Sequence, residues 1–285
     1  MMIKKLLLFF LLIGFSSSLF AQGGNPTLEQ INKFKGTTTL VVLDGRDVAF
    51  DAMLTESVKK FWKITPYEIV NNERFDKEKA NPAYSFLVLT QAVFTKDKIE
   101  STYNFLNLLL SHPTGNINDM PVMAYVPFCG SPFTSNQHIF KTGVLLKAIQ
   151  YQVDEQIKNQ KSVKISKQNK NIPKLNGKEL LISKNDISPA FADSATLKKL
   201  YRNSIKIVGS DEFEKAVIGE SSNTVILHKV MFNDNATSGR CYKMLIDVND
   251  GTIYYYKMDK VSESKPGLFL KKDFRKIRWY PFHWL

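Results

Sequence analysis

The chain has 285 residues, 44% of them hydrophobic, a formal charge of +12 and only two cysteines. Such a composition suits a globular protein with a real core, and two cysteines in a chain of this length exclude a disulfide-stapled scaffold. The part that follows residue 21 is long enough for one large domain or two of ordinary size.

The first residues have the three parts of an export signal. Lys4 and Lys5 supply the positive start, residues 6–15 are apolar, and Ser16-Ser17-Ser18-Leu19-Phe20-Ala21 offers small residues for cleavage. The apolar run is well short of the ~20 residues that span a bilayer as a helix. Residues 1–21 are therefore expected to be a cleaved signal peptide. No cysteine precedes Cys129, so no lipid-bearing N-terminal cysteine is expected, and no other stretch is apolar and long enough to cross a membrane. The expected product is a soluble periplasmic or secreted chain with no transmembrane segment. An exported protein does not meet nucleic acid, so the positive charge is not read as a nucleic-acid footprint. It is compatible with an anionic partner such as phospholipid headgroups, and also with the ordinary basic surface of an exported protein.

After an N-terminal linker (residues 22–36) the chain repeats itself, which is the observation to seek before any motif. Ser57-Val58-Lys59-Lys60-Phe61-Trp62 parallels Thr196-Leu197-Lys198-Lys199-Leu200-Tyr201, and Phe86-Leu87-Val88-Leu89 falls on Thr224-Val225-Ile226-Leu227. Tyr103-Asn104-Phe105-Leu106 likewise matches Tyr242-Lys243-Met244-Leu245, and Leu40-Val41-Val42-Leu43 matches Leu180-Leu181-Ile182. In the first copy, residues 37–160, the run at 40–43 reads as a strand covered on both faces. Met53, Leu54, Val58, Phe61 and Trp62 then recur at helical spacing. Residues 67–70 form a second strand, and Asn71 or Asn72 caps a short helix. Strands follow at 84–94, 102–110 and 122–127, then a helix over 139–158. In the second copy, residues 177–278, Ser210 with Asp211 and Glu212 opens the short helix. Two β-prone runs, 242–248 and 252–258, flank an Asp250-Gly251 turn. A helix over 268–277 closes the copy.

The expected fold is thus α/β with a mixed sheet, two tandem copies of a β-α-β-α-β-β-β-α module. Between them, residues 161–176 carry lysines at three-residue spacing, a run that begins with Lys158 and continues through Lys161, Lys164, Lys167 and Lys170. The segment reads as a solvated linker, with a surface-binding basic strip as the sharper alternative.

The order of elements, the acid-initiated short helix and the hairpin Leu245-Ile246-Asp247-Val248-Asn249-Asp250-Gly251-Thr252-Ile253 resemble a known periplasmic module. It is the small α/β domain of the curli-secretion lipoprotein, the penicillin-binding-protein activator lipoproteins and the TolB N-terminal domain. The resemblance implies a non-enzymatic unit that docks on other envelope proteins. The lipid-bearing cysteine of those lipoproteins is missing here, which puts a secretion-channel role in doubt.

Candidate chemistry is sparse. Asp44, Arg46 and Asp47 follow the first strand, where open α/β sheets place ligand sites, although Asp44-Gly45 is also an ordinary turn. Cys129 with His138 nine residues on offers a thiol and a base for a cysteine-dependent hydrolase, with no third orienting residue apparent. Cys129 and Cys241 either pair across the two copies or stay as buried thiols. The histidines at 112, 138, 228 and 283 lack metal-ligand spacing, and no cofactor motif occurs. Trp279, Tyr280, Phe282 and Trp284 make an aromatic tail (residues 279–285) that either docks on a partner or folds back on its own sheet. Residues 111–120 and the Cys129 turn are the other surfaces of interest. The reading that follows is an exported, non-enzymatic binding or assembly adaptor. Its rivals are the Cys129–His138 hydrolase and a small-ligand binder that uses the cleft between the modules.

Overall fold

The computed structural model describes residues 24–95, 97, 100–130, 138–191, 193–201, 203–233 and 236–278. The proposed signal segment and the aromatic tail lie outside them. The first module runs β1 (Thr38–Val42), α2 (Val48–Phe61), β2 (Tyr67–Val70), α3 (Asn72–Glu78), β3 (Tyr84–Phe94), β4 (Ser101–Leu110), β5 (Val122–Gly130) and α4 (Thr142–Asn159), after a short leading helix α1 (Leu28–Phe34). The second repeats the order with β6 (Glu179–Ser183), α5 (Ser194–Leu200), β7 (Ile205–Val208), α6 (Ser210–Ile218), β8 (Thr224–Met231), β9 (Arg240–Asp247), β10 (Ile253–Lys260) and α7 (Lys271–Ile277).

The sheets have the same topology, β2-β1-β3-β4-β5 and β7-β6-β8-β9-β10. In each, the first strand pairs in parallel with its two neighbours, and the last three strands form an antiparallel meander. The register follows the sequence repeat. Leu89 lies opposite Leu106, and Leu227 lies opposite Leu245.

Each sheet has two apolar faces, and their covering explains the layers. On one face of the first sheet Leu40, Val42 and Phe86 meet α3 through Phe75, whose ring sits edge-on to Phe86 at 5.1 Å. On the other face Val41 and Leu87 meet Leu54 and Val58 of α2 and Leu145 and Ile149 of α4. That same apolar cluster continues into Leu181, Ile226, Met244 and Ile246 of the second sheet, with Phe213 and Val217 of α6. The far face of the second sheet is covered by α5 and α7 through Leu197, Leu200, Phe274 and Ile277. The modules are stacked head to tail, and α4 lies between the two sheets.

Two segments expected as linkers lie against this core. Thr27 opens α1 with a reciprocal capping box to Gln30, and Ile31 and Phe34 are fully buried. In the Lys-rich segment, Ile165–Leu175 is a 3-10 helix whose Ile165, Gln168, Asn171 and Leu175 are buried. With three residues per turn, every third side chain shares a face. The inner face is 165, 168 and 171, and the lysines at 164, 167 and 170 stand on the exposed one. The segment covers the free edge of β10 by side-chain pairing. Asn169 donates to Tyr256 O at 3.1 Å and accepts from Tyr256 N–H at 2.7 Å, and Asn171 donates to Ile253 O at 3.0 Å. In the first module the corresponding edge strand is β5, and Gln152 and Gln156 of α4 donate to Tyr125 O and Met123 O of it. Side-chain amides thus blunt an outer strand in each module, which would otherwise offer unpaired backbone groups to another chain.

The Asp250-Gly251 turn reaches the backbone of α4. A Cβ at Gly251 would stand 2.2 Å from Lys147 C and 2.5 Å from Ala148 N, and the residue has φ +74°. Gly45 shares the positive φ, +77°, but has open space around it. Gly45→Ala should therefore cost about 1–2 kcal/mol from backbone strain alone. Gly251→Ala should cost at least ~1–3 kcal/mol more, because α4 must shift. Denaturant unfolding of the two variants measures the difference, and equal losses would place the turn away from α4.

Candidate functional site: the cleft between the modules

Where the sheets meet, the ends of their meanders cross. A Cβ on Gly130 of β5 would lie 2.2 Å from Met231 O of β8, so the strands touch backbone to backbone. The Tyr103 hydroxyl joins the modules twice: it accepts from Arg240 N–H at 2.7 Å and donates to Arg240 O at 2.8 Å. The Arg240 guanidinium donates to Asp97 at 3.0 Å and lies 3.9 Å from the Phe94 ring centroid.

Beside this junction is a cleft of about 690 Å³, within the range of small-ligand sites. Its first wall is the outer end of β3 and β4 with Ala92, Phe94 and Phe105; its second is Tyr242, Tyr256 and Met258 of the other module. The 3-10 segment adds Val163 and Ile165, and the 111–120 loop adds Ile117 and Asn118. Phe105 stands edge-on to Tyr125 at 6.1 Å and to Tyr242 at 5.5 Å, so the rings hold one another in place. Lys164 is the one charged side chain among the described lining residues, which include no Asp, Glu, His or Cys. The chemistry on offer is apolar contact with amide and phenol hydrogen bonding.

Apart from the 111–120 loop, the sequence-derived candidates do not line the cleft. Asp44 pairs with Arg46, and Asp47 caps α2 by accepting from Phe50 N–H at 2.9 Å. Asp51 receives the N–H groups of Asp44 and Gly45. The loop is a satisfied helix entry. Cys129 and Cys241 are both free and buried, with no disulfide between them. Burial pushes each thiol up to about 12, far from the depressed value of a reactive cysteine. The Cys129 sulfur accepts from Asn104 Nδ2 at 3.5 Å, whereas the His138 ring meets His228 edge-on at 5.8 Å and Lys141 at 3.5 Å. Cys129 and His138 are not brought together as thiol and base. Trp279, Tyr280, Phe282 and Trp284 lie outside the described residues.

A buried charge cluster escaped the sequence reading. Lys229, Lys243 and Lys257 sit side by side across β8, β9 and β10. Lys243, only 1% exposed, donates to Asp273 at 2.8 Å and to Asp259 at 3.0 Å. Lys257 donates to the same two carboxylates, Tyr255 donates to Asp273 at 3.0 Å, and Lys229 pairs with Asp186 at 3.1 Å. Burial pushes the Asp259 carboxyl up, but Lys257 and Lys243 outweigh it and bring it down to about 2. The equivalent row in the first module is Gln91, Asn104 and Cys129. The signal available in the sequence was Lys243, at a strand position that the repeat aligns with Asn104, inside an otherwise apolar run. Every charge in the cluster is matched, and removing one partner from such a group typically costs 3–5 kcal/mol. It is an internal clamp between the last hairpin and α7.

No protein-family model, curated protein or solved structure matches the chain. What stands is the architecture, two similar five-strand sheets with interspersed helices in tandem. Among the described residues no helix is long and apolar enough to cross a membrane, and no cluster of three or more His, Cys, Asp or Glu is placed to hold a metal ion.

The buried histidines give the junction a pH dependence. His228 is fully buried and donates from Nε2 to Pro127 O at 2.8 Å, while its Nδ1 has no hydrogen-bond partner. Burial, reinforced by the Lys141 charge, depresses its pKa to about 3. His138 is lowered as well, by burial first and then by Lys141, His228 and Lys229. The unfolded chain takes up these protons near the ordinary value of about 6.5 and the folded chain does not. Stability is therefore full above that pH and falls as the pH drops from about 6.5 toward 3, at up to ~1.4 kcal/mol per pH unit from His228. Denaturant unfolding at pH 7, 6 and 5 should show this slope, flattened in His228→Gln; an unchanged slope in that variant would remove His228 as its source.

Proposed function

We propose that this chain is an exported, non-enzymatic binding protein that acts as an adaptor at the cell envelope, with the inter-module cleft as its binding surface. The observation that carries the reading is the composition of the cleft: aromatic walls from both modules and Lys164 as the one charge in its described lining. Aromatic side chains on a rigid scaffold are the favoured anchors of recognition sites. The head-to-tail stack supports this, because the cleft exists only when both modules are in place. The export reading rests on Lys4, Lys5, the apolar run at 6–15 and the small residues that follow. A small apolar molecule is the second reading, favoured by the cleft's volume.

Ala92 and Met258 line the cleft, one from each module, and are half-buried. Ala92→Arg or Met258→Arg should fill the space with a charge at little cost to folding. Wild-type protein, recovered from the extracytoplasmic fraction with its N-terminus near Gln22, should retain an envelope component that either variant binds about tenfold or more weakly, a loss of ~1.4 kcal/mol. The melting temperature should stay near that of wild type. If a small molecule is the ligand, it should raise the wild-type melting temperature by mass action and leave the variants unmoved. Full retention of binding in both variants would rule out the cleft.

A further inference from the structure

A second groove, of about 580 Å³, runs between the 3-10 segment and α7. Lys170, Lys272, Arg275 and Lys276 line it together with Ile172 and Pro173, and no carboxylate is among its described lining residues. The cations come from regions about a hundred positions apart in the chain and meet only in the folded protein. Lys170 pairs with Glu155 at 2.6 Å and Lys272 with Asp259 at 3.3 Å. Arg275 and Lys276 are exposed and have no ion-pair partner among the described residues, and the same holds for Lys164 and Lys167. Lys164, Lys167 and Lys170 stand in line, because residues three apart eclipse in a 3-10 helix and rise about 6 Å per turn. The row therefore leads into the groove.

We propose that this basic row and groove form a docking surface for an anionic phospholipid bilayer. Two uncompensated cations in the groove, Arg275 and Lys276, and two more along the row that enters it, beside an exposed proline and a half-buried isoleucine, match the composition of surfaces that bind acidic headgroups: clustered Lys/Arg for the phosphates, with apolar contact beside them. Each such cation adds to the attraction near a negative membrane, and the effect fades within a Debye length. The groove has a different lining from the inter-module cleft, and Lys164 at the far end of the row is the one residue common to both surfaces. The test therefore uses Arg275 and Lys276, which the cleft does not contain. Together they would place the aromatic cleft of a peripheral protein near a membrane.

The test is co-sedimentation of the processed full-length chain with vesicles of phosphatidylcholine alone or with about one-third phosphatidylglycerol. Binding is expected to the anionic vesicles only and should be lost in high salt. Arg275→Gln/Lys276→Gln should weaken it about thirtyfold. Lys35→Gln/Lys77→Gln, which removes the same charge from exposed positions elsewhere, should change it by less than about threefold. Circular dichroism and melting confirm that both variants fold. Equal loss in the two variants would reduce the effect to net charge and overturn the site, as would equal binding to neutral vesicles or none to anionic ones. Displacement by millimolar inorganic phosphate at constant ionic strength would make it a free-phosphate site and equally overturn the proposal.

Discussion

The structure depends on one packing constraint: α4 has a sheet on each side. A mixed α/β sheet has two apolar faces to bury, and the duplicated unit covers only part of its own. The layer of α2 and α4 covers the inner face of the first sheet and, through the same cluster, the inner face of the second. Leu145, Ile149 and Val153 of α4 are fully buried, each worth roughly 1.5–3 kcal/mol relative to exposure. The consequence is head-to-tail order. The helical layer of the first copy meets the α6 face of the second, so the two copies share a topology but not an environment.

Close packing of this kind leaves polar groups inside, and most are answered locally. The Tyr103 hydroxyl closes a pair of hydrogen bonds onto the Arg240 backbone. Lys147 of α4 reaches Val248 O at 3.0 Å and Glu220 at 2.7 Å, with the Phe61 ring 4.2 Å away. These contacts cross the module boundary and make the stack specific, where apolar area alone would tolerate sliding. Divergence of the copies is plainest in the row Gln91, Asn104 and Cys129 against Lys229, Lys243 and Lys257. One backbone site has become a neutral patch around a thiol in the first copy and a fully matched ion cluster in the second.

The two proposed binding surfaces arise from what the stack leaves uncovered. Helix α3 shields the β1 end of the outer face of the first sheet, and the β3–β4 extension beyond it faces Tyr242 and Tyr256 of the second module. On the far side, the 3-10 segment holds its lysines outward because its inner residues are committed to β10. A charged row and an aromatic cleft thus share one structural element, with Lys164 at the end of the row and, beside Ile165, in the lining of the cleft.

Much of the fold was legible along the chain because it rests on local periodicity. The apolar run at 40–43, the helical spacing of Leu54, Val58 and Trp62, and the Asp250-Gly251 turn each report their own backbone state, and the repeat supplied the order of elements twice. The lysine spacing at 158–170 was also visible, but a three-residue period was read as solvation when it is the signature of a 3-10 helix with one face buried. Residues 28–34 held a capping box, Thr27 with Gln30, that read as part of a linker. The cleft, the lysine cluster and the basic groove could not be read, since their members are brought together from segments up to a hundred or more positions apart. By itself, then, the sequence determined the elements of the two modules and their order along the chain, because side-chain alternation and turn chemistry act over a few residues. Only the tertiary structure decided how the modules stack and which cations and aromatics converge, because those depend on which apolar face of one copy is buried against the other.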